Sequence, residues 1–557
     1  MMKFTFKLIT LTAVSFLTAA AEAETTSFRT VAITGDPAPD TQAGVTFGTF
    51  NQGPTIDANG TVIFETALQG EDITFANTEA IFTSNADGSF TRVVQGGDPA
   101  PGAPGGENFV FVNLPKTGPG GEFTFVATLP GSLSSLFGFD TEMGLTSLGI
   151  EGQPVSGVPV GVLIDSFSQS TGVVDGSGKA TTLAFLTGAG VNFSNNSALL
   201  TQDDNGDLTI VVREGDPAPG VAPGSLFGGN SFADVATNVD RQIAFTTSLL
   251  PPGGNATPQS AVFLRNANGD LQPLAVEGQQ VPNAPLGVEF GFILGDVRIN
   301  RAGQTLFGTQ LTENGNLFQP TSAIISSTGG GLEIVARTGE AAPGFAPGVT
   351  LENLVSSALI NDAGQIAFAG QFQGTGIGAS NDSAIFLENN VGDFEVVARE
   401  GESAPGIDDG AVFDDFLPTG FAFNFPGLFA LNDDGQLAFL ADLAGTGVNN
   451  SNDQGLFAID GNGELQLIAR EGDLFDVDDD PLTEDLRTIE AIDFTAGSGG
   501  GDGFSIAFND LGDLAFALEF TDGTEGLFVA SLPVPEPTGL FLLTIGVCLA
   551  CGKNRRR

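Results

Sequence analysis

The 557-residue chain contains no histidine, tryptophan or tyrosine, and its only two cysteines, Cys548 and Cys551, lie at the C-terminal end. These absences exclude Ser-His-Asp and Cys-His catalysis, imidazole or thiolate metal sites and tyrosine general acids from the body of the chain. They also remove the Trp and Tyr platforms on which sugars commonly stack. With no disulfides available, an apolar core must hold the body together. Basic residues are scarce as well: 19 Lys and Arg face 67 Asp and Glu, a net charge of −48, and positions 3, 7, 553, 555, 556 and 557 take six of the 19. So acidic a surface repels nucleic-acid phosphates and anionic lipid, and it keeps a large exported protein dispersed. No segment sustains a 3.6-residue apolar period, so helix is expected to be almost absent.

What is present is a repeat. The phrase REGDPAPG at Arg213 returns as ITGDPAP at Ile33, QGGDPAPG at Gln95, IEGQPVSG at Ile150, VEGQQVP at Val276, RTGEAAPG at Arg337, REGESAPG at Arg399 and REGDLFD at Arg470. Its glycines, Gly35, Gly97, Gly152, Gly215, Gly278, Gly339, Gly401 and Gly472, recur at a period near 62 residues. A sustained period of that order signals a repeat architecture. Each period carries a second phrase, DANGTVIF at Asp57, NRAGQTLF at Asn300, NDAGQIAF at Asn361, NDDGQLAF at Asn432 and NDLGDLAF at Asn509, with weaker copies ending at Phe125, Phe185 and Phe245. Asx followed three places later by Gly is turn chemistry, because the Asx side chain bonds its own backbone and Gly supplies a positive φ. The residues after it alternate with period 2 and read as a strand buried on both faces. With one strand before the turn and two after this one, the unit has the four strands of a propeller blade.

The ends of the body predict closure. The last unit stops after Gly526-Leu527-Phe528-Val529 without its fourth strand, and Phe28 to Ile33 is a fourth strand with no unit before it. Pairing them completes an eighth blade and removes the exposed edges of an open array. The expected fold is an all-β, eight-bladed β-propeller over residues 24–532, closed by the N-terminal strand pairing with the last blade. The phrase at Asn361 and its copies resemble the NxxGxxAF tandem repeat of exported proteins with interchangeable C-terminal anchors. That resemblance covers most of residues 27–531 and implies architecture and address, with no activity attached.

The two termini read as an address. Lys3 and Lys7 precede the apolar run Leu8 to Ala20, and Ala21-Glu22-Ala23 is a small-x-small site, so residues 1–23 are expected to be a signal peptide cleaved before Glu24. In residues 533–557, Val534-Pro535-Glu536-Pro537 is followed by the apolar segment 539–551 and then by a basic end, 553–557, with Lys553, Arg555, Arg556 and Arg557. The apolar segment can enter a bilayer as a helix while the arginines stay on the cytoplasmic side. These residues resemble the PEP-CTERM sorting signal. The resemblance implies an exosortase-type protease as partner, transient membrane anchoring through the tail, and a body delivered to the cell surface or beyond.

Only carboxylates and oxygen-binding cations remain as chemistry. Asp476, Asp478 and Asp480 begin like a calcium loop, but Pro481 and Arg487 stand where an EF-hand requires Gly and Glu, so calcium is at most a loosely held cofactor and no other is expected. The 48 phenylalanines recur at strand positions and are assigned to the core. Arg213, Arg337, Arg399 and Arg470 share one repeat position and are expected to form a ring of Arg-carboxylate pairs linking blades. Turn acids such as Asp203, Asp204 and Asp207 are read as turn formers. From this the chain is expected to be no enzyme, with no catalytic residues. It is read as an exported cell-surface or extracellular-matrix protein that binds extracellular polysaccharide or surface proteins and no nucleic acid. The alternatives are a carboxylate-dependent glycan hydrolase or lyase on the propeller, and a calcium-stabilised surface scaffold.

Overall fold

The computed structural model describes residues 26–533 except 114, 229–231, 254–256, 314–320, 328–330, 355–356, 408–409, 417–428, 479–481 and 500. Among them the only helical element is one 3-10 turn, Pro104–Gly106. The strands form eight small antiparallel sheets in chain order, the eight-bladed propeller expected. Blades one to seven span residues 46–95, 111–150, 162–213, 226–276, 288–337, 350–399 and 412–470, and blade eight spans 474–531. Ser27–Ile33 pairs antiparallel with Glu525–Ser531, from Ser27 opposite Ser531 to Ile33 opposite Gly526, and supplies blade eight with its outermost strand. The closure predicted from the sequence is therefore present.

The repeat phrases have distinct mechanical roles. All eight anchor glycines have φ between +80° and +96°, where a Cβ is strained. Each of their N–H groups donates, at 2.7–2.9 Å, to a carbonyl at or near the inner strand of the following blade, as Gly401 does to Phe413. The anchor thus sets the step from the outer strand of one blade to the inner strand of the next. The Asx residues do more than turn the chain. Asn361 Oδ1 accepts the N–H of Gln365 at 2.8 Å, while its Nδ2 donates at 2.9 Å to the carbonyl of Asn432 in the next blade. The same link runs from Asn238 to Asn300, Asn300 to Asn361, Asn432 to Asn509, and across the closure from Asn509 to Asp57. These buried amides form a belt of five links around the axis.

The third repeat departs from the expected alignment. Its turn runs from Asp175 to Lys179, so Thr182 occupies the place of the repeat phenylalanine and Phe185 lies three residues further on. Elsewhere the phenylalanines stack as assigned, for example Phe368 on Phe386 at 4.9 Å and Phe439 on Phe457 at 5.8 Å, between Ala- and Leu-rich blade faces. A buried pair of this kind costs about 3–5 kcal/mol when one ring is truncated.

At the Asx-turn end the channel is filled by chain. After Leu486–Asp493, residues 494–499 and 501–507 leave blade eight and run round the axis. Thr495 Oγ1 donates to Gly53 in blade one at 2.8 Å, and Gly497–Ser498 pairs in parallel with Phe429–Leu431 in blade seven. Gly501 lies against Asp362 in blade six. Asp502 sits 3.9 Å from Arg298 in blade five, and its carbonyl takes the N–H of Thr237 in blade four at 2.9 Å. Val174 in blade three, Thr117 in blade two and Ile56 in blade one donate to Gly503, Ser505 and Ile506. Only glycine fits at 503, where φ is +81° and a Cβ would lie 2.9 Å from both Thr237 and Val173.

Candidate active site

Where the first strand of a blade leaves the ladder, the channel wall opens. The inner strands of blades one, two and three do so together near Asn51, Asn113 and Ser168, and there they enclose a cavity of about 240 Å3. Its polar lining includes Asn51, Glu65, Glu79, Asn113, Lys116 and Thr124, against Phe111, Phe125, Val126 and Leu136. Asn51 Nδ2 donates to Glu65 Oε1 and to Glu79 Oε2, each at 3.0 Å, which draws two carboxyl groups together. Glu65, only 7% exposed, lies on Val62–Gln69, the second strand of blade one. Burial, reinforced by a hydrogen bond to the Glu79 carboxyl and by its charge, pushes the Glu65 pKa up to about 8. Glu65 therefore holds its proton at neutral pH and can donate it.

Lys116 faces the same cavity from the inner strand of blade two. Burial pushes its amine below the usual lysine range, and it makes no ion pair among the described residues. Asn113 brings an amide Nδ2 that is buried without a hydrogen-bond partner. A carboxyl that keeps its proton near neutral pH and a buried amine held below the usual lysine range thus line one cavity, a combination that proton-transfer catalysis can use.

Sequence reasoning missed these residues, although the repeat carried the signal. Eight places after the Asx position the chain has Glu65, Val126, Leu183, Thr246, Gly308, Ala369, Leu440 and Ala517, so Glu65 is the one charged residue in the series. Two places before it stand Thr55, Lys116, Val173, Ala236, Arg298, Leu359, Ala430 and Ala507, and only Lys116 and Arg298 carry charge. A charge facing the interior where the repeat places an apolar or neutral residue is costly to folding and marks function.

The residues singled out from the sequence stand elsewhere. Ala21, Ala23 and Glu24, Val534 to Pro537 and Arg555 to Arg557 lie outside the described residues, as does Asp480. Asp476 ends the short edge strand Leu474–Asp476 of blade eight, and Asp478 follows in the exposed loop. Asp476 Oδ1 accepts the N–H groups of Asp478 and Asp485, and Asp478 Oδ2 accepts the Thr483 hydroxyl. Among the described residues no three Asp, Glu, His or Cys side chains are grouped to hold a metal. The arginines mainly pin loops of their own blades. Arg213, Arg399 and Arg470 donate to the carbonyls of Asn195, Asn381 and Asn452, and Arg337 pairs with Glu313 at 2.9 Å. Asp203 caps its own turn, while Asp204 reaches Arg241 in the neighbouring blade at 2.6 Å.

Residues 9–138, 132–285 and 282–541 each match one family model, described as "Family of unknown function (DUF7453)". No curated protein matches. Among solved structures the chain is similar to the periplasmic gluconolactonase PpgL of Pseudomonas aeruginosa, at 15% identity over 76% of this chain and 96% of that one, with a TM-score of 0.27. It is similar to an alpha-L-arabinanase of Penicillium chrysogenum complexed with arabinobiose, at 13% identity over 66% and 99%, TM-score 0.25. A third is an exo-beta-1,3-galactanase of Phanerochaete chrysosporium, at 12% identity over 92% and 97%, TM-score 0.22. The expectation that the chain is no enzyme is withdrawn: Glu65, its carboxyl pushed up to about 8 within a cavity, is a proton donor that needs none of the missing residue types.

Proposed function

We propose, for a chain that belongs to the family of unknown function DUF7453, that it is a glycan-cleaving enzyme whose general acid is Glu65. The observation that carries the reading is the buried Glu65 carboxyl, pushed up to about 8 and drawn by Asn51 towards Glu79 in a cavity that Lys116 also lines. Glu65 delivers its proton to the glycosidic oxygen as the bond to the sugar carbon breaks. Lys116 takes a proton from the attacking water, and the Nδ2 of Asn113 gives the sugar a hydrogen bond. Acid and base assistance of this kind contributes about 10²–10⁴-fold each. The acidic surface favours neutral glycans over uronates.

The reading includes export. Residues 1–23 act as a signal peptide and 533–557 as a sorting tail cut by an exosortase-type protease; no helix among the described residues is long and apolar enough to cross a membrane. A secreted form beginning at Glu24 supports the address, and one retaining Met1 refutes it.

The enzymatic test incubates the purified protein with the producing cell's own extracellular polysaccharide and follows new reducing ends. Cleavage that drops at least about 100-fold in Glu65→Gln and falls as pH rises past about 8 is the expected result. Absence of cleavage, or full activity in Glu65→Gln, refutes the reading.

A further inference from the structure

Three blades further round the channel, a second cavity of about 600 Å3 opens between blades four and five, within the size range of small-molecule sites. Its inner wall is an irregular strand. Val288–Ile299 slips register against Thr305–Glu313 at three places, and Gly295 and Asp296 both have positive φ, +103° and +54°. A non-glycine residue in that region stores strain, and such strain gathers at ligand sites. The distortion turns Phe292 outward, where it is 58% exposed, with Leu294 beside it on the cavity wall. It also brings Asp234 against Gly295, so that a Cβ there would lie 2.7 Å from Asp234 Oδ2.

Most of the remaining lining is polar, with Asp234 its one acid among the described residues. Asp234 Oδ2 accepts the Thr246 hydroxyl at 3.1 Å, and burial, followed by the charge of Asp296, moves its carboxyl towards the protonated form. Ser260 Oγ donates to Glu277 at 3.0 Å and accepts the N–H of Ile293 at 2.9 Å, which ties the cavity floor to its neighbour strand. The side-chain amide of Gln310 makes no hydrogen bond among the described residues and faces the cavity with a donor and an acceptor to spare. Among the described residues, no lysine or arginine lines it.

We infer that this cavity is a second, non-catalytic binding site for one neutral sugar unit, which lies on Phe292 and Leu294 and hydrogen-bonds to Gln310 and Asp234. The chemistry selects that class. A pyranose offers an apolar C–H face to an aromatic and hydroxyls that both donate and accept. Anions find no cation among the described lining residues, since Arg298, whose charge reaches Asp234, does not line the cavity. The site differs from the Glu65 cavity in residues and blades, and stands whether or not that cavity cleaves.

The test is calorimetric titration and saturation-transfer NMR of the purified protein with D-glucose, D-galactose, D-mannose and L-arabinose, with D-galacturonate as the charged control. At least one neutral sugar is expected to bind at about 10 mM or below. Phe292→Ala, a change at an exposed ring, should weaken it tenfold or more at unchanged melting temperature, and Gln310→Ala should weaken it severalfold. No neutral sugar binding in that range, equal binding by Phe292→Ala, or galacturonate binding as tightly as galactose would each overturn the inference.

Discussion

Replacing Glu65 by Gln tests the central electrostatic feature of the channel without reference to any substrate. In the folded protein Glu65 is pushed up to about 8, against 4.5 for an ordinary glutamate, so between those values the native state binds a proton that the unfolded chain has released. Stability then falls as pH rises from about 4.5 to about 8 and levels off above, the sign expected for a carboxyl whose folded pKa is raised. That interval, at about 1.4 kcal/mol per pH unit, caps the loss at about 5 kcal/mol. Glutamine keeps the shape and the bond to Asn51 and cannot titrate, so the variant gains on the wild type by up to that amount between about pH 5 and pH 9. For a body of roughly 500 residues, an unfolding entropy of about 1 kcal/mol per kelvin converts this to a relative rise of about 5 °C. Asp433 and Glu471, both pushed up to about 7 by burial and neighbouring acids, slope both curves alike and cancel in the difference. Calorimetry, or far-UV circular dichroism in a chain without Trp or Tyr, follows both proteins at several pH values. Melting curves that stay parallel from pH 5 to pH 9 would show that Glu65 is ionised in the native state, and the acid assignment would fall with it.

The Asn belt predicts that Asn361→Ala costs about 2–3 kcal/mol in denaturant unfolding, since it removes bonds to Gln365 and to the Asn432 carbonyl from a fully buried site. Asn389→Ala, an exposed turn of the same Asx type, should cost no more than about 1 kcal/mol. Deleting residues 26–34 removes the strand that pairs with Glu525–Ser531 and should lower the melting temperature substantially; an unchanged transition would refute closure as a source of stability. Gly401→Ala, which would set a Cβ 2.5 Å from the Ser380 carbonyl at φ +80°, should destabilise by at least about 2 kcal/mol, whereas Gly88→Ala, at φ +79° with nothing within 4 Å, should cost only about 1 kcal/mol.

Much of the architecture was legible because each blade solves the same local problem. A positive-φ glycine, an Asx turn and a period-2 strand are decided within a few residues, and eight copies of them at one spacing leave few folds open. The misalignment at Phe185 arose where that local signal thinned, because Thr182 holds the phenylalanine's place while the turn at Asp175 is intact. Residues 494–507 were unassigned for a different reason. The segment's contacts run to all seven other blades, so nothing local distinguished it from a loop.

By itself, then, the sequence determined the all-β class, the blade count, the closing strand and the residue types that chemistry could not use, since all of these follow from composition, period and turn geometry. Only the tertiary structure decided which of the 67 acidic residues matter. Proton affinity depends on burial and on neighbours such as Asn51 and Glu79, which the fold brings against Glu65 from 14 residues away on either side. Lys116, by contrast, comes from the next blade, and no spacing within one repeat could have placed it in the same cavity.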